Sequence, residues 1–295
     1  MLDDKAPVLG IIGGSGLYEL EALESVETVD IDTPFGKPSD PVRVGRIGGH
    51  RVAFISRHGA GHRLSPSALP YAANVCAMKM LGVKQLVSIS AVGSLREELA
   101  PRSFVVPNQL IDRTVGRQRS FFDDGIVAHV SLADPFCPRL SASVAAIAEA
   151  GSLPVARGGT YVCIEGPQFS TKAESALFRS WGASVIGMTA LPEARLAREA
   201  ELCYACLAMV TDYDVWHETE GPVNVSGVIA NLHAMTAAIQ RIVVALAEHQ
   251  IDDCDAGCGD ALAMAILTAQ DVIPPAARQR LAPIAGRYLT SGEIA

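Results

Sequence analysis

The apolar positions of this chain come in short blocks, and the spacing inside each block separates strands from helices. Residues 8–12, 42–47, 51–56, 84–89, 104–111 and 155–164 are strand-sized runs bounded by glycine, proline or small polar residues, which predicts buried strands. Gly48-Gly49 between the second and third run predicts a hairpin. Residues 66–81 instead repeat apolar positions at helical spacing, with Leu69, Ala73, Cys76 and Met80 on one face and Gly82 as the stop. Residues 141–150, 171–181 (capped by Thr171 or Ser170) and 225–249 read as further helices. Two more helical stretches lie in 258–294, on either side of Pro274-Pro275. Residues 186–216 read as a strand, a helix over 192–203 and a second strand over 205–210, which stops at Thr211-Asp212-Tyr213-Asp214. Residues 112–138 have no period. An irregular segment of that length in a compact domain is usually functional or covered by a partner.

This order predicts an α/β fold, with one domain over residues 1–295, a mixed sheet flanked by helices and a helical tail at about 250–295. A composition of 49% hydrophobic and 19% charged residues fills such a core and excludes wholesale disorder. The net charge of −8 argues against nucleic acid or an anionic membrane as partner, so an anion would need local donors. The apolar runs are strand-sized, which predicts no membrane span, and the acids ahead of the first run are unlike a secretory signal. Seven scattered cysteines read as buried reduced thiols, which implies the cytoplasm. Cys203/Cys206 and Cys254/Cys258 are the close pairs. Zinc would need further paired ligands that the spacing does not supply, so no metal is expected, and a Cys254–Cys258 disulfide stays open.

The strand ends carry the candidate chemistry. Ser15 lies in a glycine turn after the first strand that fits neither the dinucleotide fingerprint nor a P-loop. Arg57-His58 follow another strand in a glycine-rich loop; they are either donors for an anion or part of an ordinary exposed loop. The glycines between His58 and His62 break helical spacing, so a two-histidine zinc geometry does not follow. Ser90-Ala91 and Thr189 repeat the theme of a small or hydroxyl residue where a strand ends. Together these positions suffice for a phosphate without P-loop or metal. No nucleophile elbow, zincin helix or kinase set is present, and a bound phosphate would itself serve as nucleophile. Asp212 and Asp214, two apart on one side of an extended segment, suit an exocyclic amine or, with one protonated, a ring nitrogen. The competing reading is a solvated turn. Phe169 would stack on a planar ring or belong to the core.

At this point the motifs become specific. IIGGSGLY (11–18), TPFGKPSD (33–40), SRHGAGH (56–62), SAVGSLRE (90–97), AHVSLADPFCP (128–138), TYVCIEGPQFSTKAES (160–175), IGMT (186–189) and TDYDVW (211–216) occur in this order over residues 8–249. In them the chain resembles the S-methyl-5′-thioadenosine phosphorylases, within the trimeric purine nucleoside phosphorylase family. The resemblance implies a nucleoside phosphorylase-like fold and a pentosyltransferase that reversibly converts methylthioadenosine and phosphate to adenine and 5-methylthioribose 1-phosphate. It implies no cofactor, inorganic phosphate as co-substrate, and a homotrimer. By motif, Ser15, Arg57, His58, Ser90, Ala91 and Thr189 would bind phosphate, with Ser15 where the family often has threonine. Met188 would pack on the ribose, Phe169 and Ser170 would line the base pocket, and Asp212 and Asp214 would read the purine edge. Asp212 is the candidate acid at N7, with Asp214 in support. Val225 and Val228 would face the 5′-thiomethyl group, His62 would lie near the sugar, and His129 would come from a neighbouring subunit. The Asp-Tyr-Asp motif favours 6-aminopurines. The alternative is a phosphorylase of 6-oxopurine nucleosides such as methylthioinosine, inosine or guanosine; a hydrolase and a non-catalytic nucleoside-binding protein are remoter readings.

Overall fold

The computed structural model describes residues 9–15, 17, 19–219, 223–249 and 254–289. Among these, one 11-stranded mixed sheet organises the chain. Its strands are β1 (Leu9–Gly13), β2 (Glu24–Val29), β3 (Val42–Ile47), β4 (His50–Ser56), β5 (Gln85–Ser94), β6 (Phe104–Val106), β7 (Gln109–Arg113), β8 (Val155–Arg157), β9 (Thr160–Ile164), β10 (Val185–Gly187) and β11 (Cys203–Asp212). The helices are α1 (Tyr71–Met80), α2 (Pro138–Glu149), α3 (Lys172–Ser180), α4 (Ala190–Glu199), α5 (Val225–Glu248) and α6 (Pro275–Ala285).

Strand β5 is the axis. Parallel β11 covers one edge for almost the whole length of β5, pairing Cys203 with Gln85 and Asp212 with Gly93. The other edge is shared. Parallel β1 takes residues 85–89, and antiparallel β10 takes Gly93 and Ser94. Because β5 and β11 are buried on both sides, alternate residues feed two cores. Cys206, Ala208 and Val210 join the core under α1, α4 and α6, and Ala205, Leu207 and Met209 join the core under α2 and α5. Where β1 gives way to β10 on one edge of β5, the strand ends leave a cleft.

The expected elements hold in outline, with five corrections. Strand β2 was not foreseen, because ESVETV is exposed at a sheet edge and has no buried face to impose a pattern. The run 104–111 is two strands broken after Val106 by Pro107, and 155–164 is two strands broken at Gly158-Gly159, which sit at φ 78° and 100°. Helix α1 starts only at Tyr71, because Pro70 occupies the preceding cap and residues 66–68 form a separate 3-10 turn. Of the two helical stretches expected in 258–294, only α6 is an α-helix; ahead of Pro274-Pro275 the described residues form short 3-10 turns at Cys258–Asp260 and Gln270–Val272. Finally, α5 is long and apolar enough to cross a membrane, although every apolar run had been taken as strand-sized. One side of α5 nonetheless packs in the core through Leu232, Met235, Ile239, Ile242, Val243 and Leu246.

Residues 112–138 are mostly irregular, and the chain's own tail covers part of them. Ala128 bridges to Ile266, and the Leu267 and His129 amides bond to the Val127 and Ala265 carbonyls.

Candidate active site

A cavity of about 800 Å³ opens at the ends of β1, β4, β5 and β11. Its lining includes Ser15, Arg57, His58, His62, Ser90, Ala91, Phe169, Ser170, Met188, Thr189, Asp212, Asp214, Val225 and Val228. His129 is exposed and lies outside the cavity of its own chain.

One end is rich in hydroxyls and cationic groups. The Ser90 and Thr189 hydroxyls stand 3.2 Å apart, and Ser88 reaches Ser90 at 3.4 Å from the layer behind. Arg57, which no solvent reaches, is gripped on two sides. Its Nε and Nη2 donate to both carboxylate oxygens of Glu193 at 2.9 and 3.1 Å, and Nη1 and Nη2 donate to Ile89 O and Ser88 Oγ at 3.1 and 2.7 Å. Burial alone would lower this guanidinium's pKa; the Glu193 carboxylate more than restores it, so the net shift is upward and the charge stays. Gly14 gives the side chain its room, since a Cβ there would come 2.6 Å from Ile89 O and 2.8 Å from Arg57 Nη1.

His58 is a different kind of group from the donor expected. Its Nδ1 lies 2.8 Å from the Leu64 carbonyl, which fixes Nδ1–H as the donor there. Burial, followed by the charges of Arg57 and His62, pushes its pKa down to about 4. The ring is therefore neutral near pH 7 and presents Nε2 as an acceptor, suited to the hydroxyl of a protonated phosphate. His62 stacks on it, with ring centroids 4.1 Å apart.

The other end holds the two carboxylates. Thr211 Oγ1 donates to Asp212 Oδ2 at 2.7 Å, and the Asp214 backbone N–H donates to Asp212 Oδ1 at 2.8 Å. Asp214 has φ 56°, so the segment curls instead of extending as the two-residue spacing suggested. Both acids still face the cavity. Burial pushes the Asp212 carboxyl up to about 6, against the two donated hydrogen bonds, and burial also raises Asp214. Asp214 Oδ2, Ser170 Oγ and Ser175 Oγ are buried without a well-formed hydrogen bond, although both serines lie near enough to hold the carboxyl down somewhat. Buried polar atoms left in that state make a site ready for a polar ligand.

Met188 lies between the two ends, against Gly166, where a Cβ would fall 2.5 Å from its sulfur. Arg117 holds this middle in place. Its Nη1 donates to Tyr71 Oη and to the Met188 and Leu191 carbonyls at 3.0, 2.7 and 2.7 Å, and its Nη2 donates to Glu165 O at 2.6 Å. Apolar side chains of α5 close the cavity, with Ile229 and Leu232 added to Val225 and Val228.

The sequence matches the phosphorylase superfamily over residues 8–248. The chain belongs to that superfamily. It is 53% identical over 281 residues to an S-methyl-5′-thioadenosine phosphorylase of Chloroflexus aurantiacus, covering 95% of this chain and 98% of that one. It is 50% identical over 285 residues to the enzyme of that name from Cereibacter sphaeroides, at 96% and 98% coverage. Its fold is similar to a methylthioadenosine phosphorylase from an antarctic soil metagenomic library, with TM-score 0.86, 44% identity and coverage of 95% and 99%. It is also similar to an engineered adenosine/methylthioadenosine phosphorylase from Schistosoma mansoni in complex with methylthioadenosine, with TM-score 0.77, 35% identity and coverage of 82% and 91%.

In and around this cavity, sequence reasoning missed Glu193, Arg117, Ile229 and Leu232. The two α5 residues repeat Val225 and Val228 at i+4, a period that would have found them. Glu193 lies one turn before Ala197 in the helical part of α4, beyond the break at Leu191, so a lone acid in an alanine-rich helix was the available signal. Arg117 gave none, because its acceptors (Tyr71, Glu165 and the Met188 and Leu191 carbonyls) all lie far from it in sequence.

Proposed function

We infer that the chain is a pentosyltransferase catalysing reversible phosphorolysis of S-methyl-5′-thioadenosine to adenine and 5-methylthioribose 1-phosphate. One observation carries the reading: a single cavity joins a Ser90–Thr189–Arg57–His58 end to an Asp212–Asp214 end across Met188. Phosphate binds among Ser15, Arg57, His58, Ser90, Thr189 and the backbone of Ala91, and attacks the anomeric carbon as the glycosidic bond breaks. Fixed donors hold that anion under an oxocarbenium-like centre without reorganising during the reaction. At the other end Asp212 protonates the purine N7 and Asp214 accepts from the 6-amino group. A carboxyl pushed up to about 6 suits the acid, because general catalysis works best with a pKa near the working pH. Phe169 and Ser170 flank the base, and His62 lies by the sugar. Val225 and Val228, with Ile229 and Leu232, receive the thiomethyl group, since apolar walls offer a 5′-hydroxyl no partner. No cofactor enters this chemistry.

The enzyme is further proposed to work in the cytoplasm as a homotrimer of single-domain subunits. Exposed Val127, Met264 and Leu267 beside His129 support an apolar subunit contact there, which would carry His129 toward a neighbour's cavity. The experiment for the reaction is adenine release from methylthioadenosine with and without phosphate. Strictly phosphate-dependent release, faster than with methylthioinosine, is expected. Release without phosphate, or preference for the inosine analogue, overturns the assignment.

A further inference from the structure

Four of the seven cysteines, scattered in sequence, meet at one point away from the cavity. Cys137 caps the start of α2, Cys203 opens β11, and Cys254 and Cys258 come from the segment beyond α5. Their sulfur atoms all lie within 4.8 Å of one another, all four are thiols, and three are buried with Cys254 partly so. Cys206, three residues from Cys203, points into the opposite core, so the sequence pair is no pair in space. The partners that the spacing failed to supply are present after all.

We propose that Cys137, Cys203, Cys254 and Cys258 bind a Zn²⁺ ion tetrahedrally, as a closed structural site. The Cys137–Cys254 sulfur separation is 3.7 Å. Zn–S bonds of about 2.3 Å at tetrahedral angles put sulfurs about 3.8 Å apart, whereas a disulfide requires about 2.05 Å. Four thiolates around Zn²⁺ leave a net double negative charge, and the surroundings answer it. The Leu140 amide donates to Cys137 Sγ at 3.5 Å from the first turn of α2, and Arg198 Nη1 donates to Cys258 Sγ at 3.5 Å. Binding forms four Zn–S bonds and releases to solvent the protons still on the thiols, with no redox step. The ion would tie the segment that leads to α6 onto the starts of α2 and β11. None of the four sulfurs lines the substrate cavity.

The test is the metal content of the whole enzyme, expressed with added zinc, purified anaerobically without chelator and desalted. About one zinc per chain is expected, and Co²⁺ put in its place should show thiolate charge-transfer and intense tetrahedral ligand-field absorption. Cys137→Ser and Cys258→Ser should each weaken zinc retention about tenfold or more, with Cys76→Ser unchanged. If the serine variants do not fold, zinc content and the cobalt spectrum of the unaltered chain decide. A zinc-supplied chain that retains no stoichiometric ion overturns the site. So does a non-reducing intact mass that places these cysteines in disulfides.

Discussion

Asp212 carries two opposed demands, and they separate on the pH axis. Its carboxyl ionises near 3.8 in the unfolded chain and near 6 in the folded one, chiefly because of burial. The unfolded chain gives up this proton first as pH rises. The cost to folding is therefore absent below the lower value, grows between the two, and is complete above about 6, where it is on the order of 3 kcal/mol. Asp212→Asn removes the charge but keeps an oxygen for the Thr211 or Asp214 donor. It should raise stability to urea at pH 8 by up to about 3 kcal/mol, with the gain shrinking toward pH 4. The same variant should lose about 10²–10⁴-fold in methylthioadenosine phosphorolysis and lose the alkaline fall in rate that begins near pH 6. A variant that is less stable at pH 8, or that keeps the wild-type pH profile, would show that Asp212 is neither strained nor the acid. Arg57 needs more care as a target. Arg57→Ala strands Glu193 in a dry interior at about 3–5 kcal/mol, so its phosphate affinity is best read in the double variant with Glu193→Gln.

At the level of elements, the cleft depends on how closely β11 lies against β5. A Cβ on Gly93 would sit 2.8 Å from Asp212 Oδ1 and 3.1 Å from Ile186 Cγ2, both in the wall of the cavity. Gly93→Ala should therefore cut kcat by about tenfold or more while phosphate still protects the fold against heat, because the methyl displaces the acid and not the hydroxyl end. If kcat is unchanged, the carboxylate has slack that the packing denies. Much of this arrangement was legible in the chain. Strand ends at Gly13, Ser56 and Asp212 are marked by glycine or polar residues, because a strand leaving the core must turn there; Ser90-Ala91 read as such an end too, but β5 runs on through them to Ser94, held by β11. The curl at Asp214 was not legible, since two acids at i and i+2 read equally well as extended until the Asp214 amide is seen on Asp212. Nor were Arg117 and the cysteine cluster, whose partners meet only when distant segments dock. The motifs supplied the residue types; the three-dimensional contacts supplied their protonation and their partners.

At the level of the whole molecule, the open question is whether one chain makes a complete site. Every cavity residue expected from the motifs lines one chain's own cleft except His129, which sits exposed among Val127, Met264 and Leu267 on the bridge between residues 128 and 266. A face of that kind suits a neighbouring subunit, and a cyclic trimer would pass His129 from each subunit to the next. Mixing two damaged chains distinguishes this from a histidine with no part in the site. Asp212→Asn disables a chain's own cavity but still lends a sound His129, and His129→Ala does the reverse. In co-expressed mixed trimers, a sound cavity paired with a sound histidine arises in about a quarter of sites at equal ratio. Activity should accordingly rise well above that of either variant alone, and dilution that separates the subunits, or Leu267→Glu on both chains, should abolish the gain. If the mixture never exceeds the average of its parts, His129 serves no neighbour's cavity and each chain's cleft is sufficient.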